Sequence, residues 1–118
     1  MQATDWQTFV SMYQALDAAY DEGKSQKVFS FIADANPNIW KGKVSGDPAV
    51  FSEFSEAFAE RFPQGKADPA AAAKFARAFL SEQNAEYGWA EGDLVASFDS
   101  VVTPELWERA LSEAPEQP

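Results

Sequence analysis

The sequence predicts an all-α protein, a single compact orthogonal bundle of about five to six short helices. Three observations carry that expectation. Apolar residues recur at spacings of three and four in segment after segment, which lines one face of a 3.6-residue spiral. Three segments open with a capping side chain followed by proline: Asp47-Pro48, Asp68-Pro69 and Thr103-Pro104. Proline suits a first helical turn because the N–H it lacks would have no partner there. No two neighbouring segments offer the clean alternation that paired strands require.

Each element follows from local chemistry. In "TDWQTFVSMYQALDAAYDEG", Thr4 is an N-cap, Gln7 stands at the capping-box position and Gly23 is a stop. Trp6, Phe9, Val10, Tyr13, Leu16 and Tyr20 then share one face. The segment "SQKVFSFIADAN" suits a strand or a helix. Helix is the expectation, capped by Ser25 and closed before Pro37, because a lone strand would leave its backbone groups unsatisfied. The third and fourth helices begin alike at Asp47 and Asp68, each with phenylalanines seven and eleven residues on: Phe54 and Phe58, Phe75 and Phe79. Shared start signals and a shared core period explain this likeness without a duplication. Pro63 and Gly65 end the third helix. The run Ala70 to Ala73 predicts close approach and a central place for the fourth helix, which should end near Gly88. A fifth helix is expected to be capped by Asp93 and to turn Leu94, Val95, Phe98, Val101 and Val102 inward. A sixth, capped by Thr103, should face the core with Leu106, Trp107, Ala110 and Leu111. These form one domain, residues 1–114, with 115–118 as a frayed tail.

Composition removes whole classes of chemistry. With 46% hydrophobic and 14% aromatic residues among 118, the chain can fill an ordinary core. It has neither cysteine nor histidine. Thiol nucleophiles, Ser-His and Cys-His pairs and the usual zinc ligands are therefore excluded. The net charge of −10 opposes phosphate backbones and anionic lipid, so no nucleic acid and no membrane is expected as a partner. The start "MQATDWQTF" lacks a basic segment followed by an apolar one, and the expected location is cytoplasmic.

The remaining signals weigh lightly as chemistry. Glu53, Glu56 and Glu60 share a helix face away from Phe51, Phe54 and Phe58, which makes them a wet surface rather than a catalytic pair. The acids around Gly23 and Gly92 do not follow the alternating calcium-loop pattern. The stretch "KGKVSGDP" is no phosphate cradle, because Asp47 holds the place an anion would take. Only the fourth helix, with Lys74, Arg77 and Gln83, approaches a DNA-reading helix, and its alanines look like packing surface. Phe51, Phe54, Phe58, Phe62, Phe75 and Phe79 read as core. No catalytic residue, cofactor or metal is expected.

One puzzle remains in "ANPNIWKGKVSGDP", where Ile39 and Trp40 stand in a polar loop. Such a tryptophan either folds back as a lid on the core, its commoner fate, or stays out as an anchor. Tyr87 and Trp89 pose the same question at a second irregular joint. The expected function is a small acidic, bacterial-type interaction domain of inhibitor, immunity or adaptor kind. It would bind another, basic, protein through Ile39, Trp40, Tyr87 and Trp89 within a rim of Glu86, Glu91 and Asp93. A homo-oligomer is compatible with this reading. The alternatives are a small apolar ligand in a Phe- and Trp-lined helical pocket, and a hydrolase using carboxylates alone.

Overall fold

The computed structural model describes residues 1–23, 26–37, 45–86 and 93–118. It is a bundle of six helices in the described residues: α1 (Asp5–Gly23), α2 (Gln26–Ala35), α3 (Pro48–Arg61), α4 (Pro69–Glu86), α5 (Asp93–Val101) and α6 (Pro104–Glu113). The expected all-α class holds, with 77% helix and no strand among the described residues. The segment at 26–33, which suited strand or helix, is helical.

The caps explain why the helices begin where they do. The Gln7 N–H donates to Thr4 Oγ1 at 3.2 Å and the Thr4 N–H donates to Gln7 Oε1 at 2.9 Å, a reciprocal capping box. Asp47 accepts from the Ala49 N–H at 3.0 Å, Asp68 from Ala71 at 2.8 Å and Thr103 from Leu106 at 3.2 Å. Each such bond satisfies one of the orphan donors of a first turn. Helix α5 departs from expectation. Asp93 is its first residue, and the Leu94 N–H is met by Asn84 Oδ1 of α4 at 3.2 Å. Between α3 and α4, Gly65 takes φ +80°, a left-handed conformation that favours glycine, and its N–H donates to the Phe62 carbonyl at 2.8 Å.

The hub is α1, not α4 as the alanine run suggested. It packs closely on all five other helices, whereas α4 packs closely on α1, α5 and α6 and meets α3 only through aromatic rings. Every residue from Trp6 to Tyr13 is buried, including Gln7, Thr8 and Ser11. A helix buried all round must satisfy its polar groups internally. The Thr8 hydroxyl donates to the Thr4 carbonyl at 2.8 Å. Gln7 Nε2 donates to the Leu111 carbonyl at 3.0 Å and to the Ala114 carbonyl at 3.3 Å, so one side chain caps the start of α1 and ties down the end of α6. Thr4 Oγ1 donates to the Glu116 carbonyl at 2.6 Å, and Ala3 exchanges backbone bonds with Ala67.

Aromatic rings fill the space between α1, α3 and α4. Trp6 meets Phe51 at 5.0 Å, Phe51 meets Phe9 at 5.1 Å, and Phe9 meets Phe54 at 5.2 Å. Phe54 in turn contacts Phe75 and Phe79 at 5.1 and 5.0 Å. Most of these pairs are edge-to-face, the arrangement the ring quadrupole favours, worth about 0.5–1.5 kcal/mol per pair beyond area burial. Phe51, Phe54, Phe58 and Phe79 are buried as expected; Phe62 and Phe75 are half-buried at the margin.

Candidate functional site

The residues the sequence singled out divide into two sets. Ile39, Trp40, Tyr87, Trp89 and Glu91 lie outside the described residues. Glu86 and Asp93 are the last residue of α4 and the first of α5, which places them at one joint. Glu86 is exposed and its Oε2 lies 3.4 Å from Gln83 Nε2; Asp93 is half-buried. Glu53, Glu56 and Glu60 are exposed along α3, as their spacing predicted. Among the described residues no three acids converge in a manner that would hold a metal ion, and no helix is long and apolar enough to cross a membrane.

The structure instead builds an apolar surface at the α5–α6 corner. Only Val102 and Thr103 separate these helices, because the Val102 N–H closes α5 on the Phe98 carbonyl and Thr103 at once caps α6. That sharp corner fixes Trp107. Its ring is 3% exposed, sits edge-on to Phe98 at 5.5 Å, and its Nε1–H donates to the Pro69 carbonyl of α4 at 2.8 Å. Rotating Trp107 away would break the bond to the Pro69 carbonyl and expose the buried ring to water.

On one side of Trp107 lies a groove of about 450 Å³, with Met1, Pro69, Ala73, Val102 and Pro104 among its walls and Asp68 and Glu108 at its edges. On the other lies a smaller groove of about 160 Å³ between α1 and the corner, lined by Ala15, Ala18, Val101, Leu106 and Ala110. Val102 and Trp107 belong to both, so the two grooves are one apolar surface folded around the corner. Leu106 was expected in the core but is 52% exposed, and Met1 is 49% exposed. Adjacent helical residues point about 100° apart; on α6, which packs by one face only, Trp107 points into the interior and Leu106 is turned toward the smaller groove. Glu105 and Glu108 stand exposed beside them on α6.

Ser11 supplies the one buried polar group on the smaller groove. Its side chain is 1% exposed and its Oγ has no hydrogen-bond partner among the described residues. The signal for this surface in the sequence was faint: Val101-Val102-Thr103-Pro104 marks a tight corner, but its walls come from four separate helices.

Comparison with known proteins returns no matching family, no matching curated protein and no matching solved structure. The functional reading therefore rests on the geometry. The fourth helix illustrates how that geometry bears on DNA reading: Gln83 is buried, and Arg77 holds Asp99 through bonds of 3.0 and 3.1 Å. Asp99 also holds the Arg77 guanidinium in its charged form, raising its pKa through the direct bond and through charge attraction.

Proposed function

We propose that the chain is a non-enzymatic interaction domain whose working surface is the apolar corner of α5 and α6, and that it takes an apolar segment of another protein flanked by basic residues. The observation that supports this reading is Leu106 standing half in solvent beside a groove floored by the immobilised Trp107. A rigid aromatic floor with exposed aliphatic neighbours is the pattern of a binding anchor. The carboxylates of Asp68 and Glu108, the charged residues lining the larger groove, give its rim one sign, which favours lysine or arginine on the partner.

A second reading has its own support. The larger groove falls within the range of about 300–1,000 Å³ typical of small-molecule sites. A compact apolar molecule lying over Trp107 is therefore the alternative, and it needs no acidic rim.

A photo-crosslinking residue placed at position 106, with another at Glu53 as control, separates the two. The expected result is crosslinked partner peptides, unique to position 106, in which lysine or arginine flanks apolar residues, with yield lost in Val102→Glu. Identical products from both positions would defeat the protein-partner reading. A retained apolar molecule in the native mass spectrum, displaced by Ala73→Trp, would establish the alternative instead.

A further inference from the structure

We propose that the depression between the end of α3 and the first turns of α4 docks an acidic segment of a partner protein anchored by apolar residues. This surface lies across the start of α4 from the α5–α6 corner, with Asp68 and Ala70 on the boundary between them, and its occupant is tested independently. The chain carries nine bases against 19 acids, yet three of those bases gather here. Arg61 and Lys74 line a depression of about 610 Å³ whose floor includes Ala71, Phe75 and Ala78. Arg61 also borders an adjoining hollow of about 270 Å³ with Phe62 and Lys66.

What marks these three cations is that they are left open. All three are exposed, and none forms an ion pair among the described residues. Arg77, less than one turn beyond Lys74 on the same helix, is by contrast held by Asp99 at 3.0 Å. The Arg61 guanidinium carbon lies 5.2 Å from the centre of the Phe62 ring, a contact that leaves its N–H groups available. One acid, Asp68, also lines the depression, so its lining carries two cations against one anion.

The overall negative charge does not cancel this patch. At physiological ionic strength charges are screened over about 8 Å. The shortest dimension of the molecule is 24 Å, so acids on its far side contribute little here. The floor selects the chemistry of the occupant. A bare phosphate gains nothing from Ala71, Ala78 and the flank of Phe75, and Phe75 is held against Phe54 and Phe58 rather than freed to stack on a base. An acidic segment with an aliphatic residue every turn matches both features, because small alanines let its backbone approach closely. From Ala70 to Ala78 the helix offers about 12 Å of length, a little over two turns of such a segment.

The test uses two labelled peptides of equal length, one of glutamates with a leucine at every fourth position, the other of glutamates alone, read by fluorescence anisotropy at low and physiological salt. The leucine-bearing peptide should bind more tightly. Lys74→Glu and Arg61→Glu should each weaken it by about tenfold or more. Arg109→Glu makes the same change in net charge on exposed α6 and should leave binding unchanged. Three results would overturn the proposal: equal loss in Arg109→Glu, equal binding of the all-glutamate peptide, or displacement by inorganic phosphate or an oligonucleotide at similar concentration. A salt-sensitive dimer in sedimentation, abolished by Lys74→Glu, would assign the depression to a second copy and overturn it also.

Discussion

Helices α3 and α4 start from the same local instruction and end in different trades. Both open on Asp-Pro, both are capped by that aspartate, and both carry phenylalanines seven and eleven residues on. Helix α3 spends its inward face on bulk, burying Val50, Phe51, Phe54 and Phe58. Helix α4 buries the small Ala72 where α3 has Phe51, and its Phe75 reaches only the margin of the ring cluster. Small residues let Trp107 of α6 reach the Pro69 carbonyl and leave grooves on both sides of the first turns of α4. A shared start signal therefore fixes where a helix begins, while the size of the side chains that follow decides whether it seals a core or opens a surface.

The largest expected difference between the two helices lies in their rings. Phe54 is fully buried and contacts Phe9, Phe58, Phe75 and Phe79. Phe54→Ala should lower unfolding free energy by about 3–5 kcal/mol, since it leaves a cavity that rigid neighbours cannot fill. Phe75→Ala removes a half-buried ring and should cost about 1–2 kcal/mol, because solvent reaches the vacated space. Urea unfolding of both variants checks this. Equal losses would mean that α4 seals the core as α3 does, and the contrast would fail.

The caps should show the opposite, an equality. Asp47→Ala and Asp68→Ala each remove one carboxylate-to-backbone bond at an exposed helix start. Each should cost about 1 kcal/mol. A much larger loss at Asp47 would show that its carboxylate also positions the α2–α3 joint, where the backbone N–H of residue 47, which alanine keeps, donates to the Asp34 carbonyl at 2.7 Å.

What the sequence disclosed divides along the same line between local and distant causes. Thr4, Gln7, Asp47, Asp68 and Thr103 were legible as caps because their partners stand two or three residues away. Asp93 is the first residue of α5, and what the sequence could not disclose there is that the Leu94 N–H is met from another helix, by Asn84. The burial of Gln7, Thr8 and Ser11 was hidden for a similar reason: polar residues read as a wet face, and only the end of α6 gives Gln7 its two carbonyls. The apolar corner escaped the reading too. Its walls belong to four helices, and Leu106 looked like core until Trp107 claimed the inward direction.

The smallest expected effect concerns α1, against which both α3 and α4 pack. Tyr13 is buried, and its pKa is raised above the ordinary 10.0, first by loss of hydration and then by the negative charges of Asp17 and Asp21. A raised folded-state pKa means the fold prefers the neutral phenol. Its contribution to stability is therefore complete below pH 10 and is lost as pH climbs through the higher folded value. Unfolding free energy of the parent protein should fall more steeply above pH 10 than that of Tyr13→Phe, which has no proton to lose. Asp17→Asn should recover part of the difference by removing the charge with the larger effect of the two, and parallel curves for parent and Tyr13→Phe would place the alkaline sensitivity elsewhere than in the hub helix.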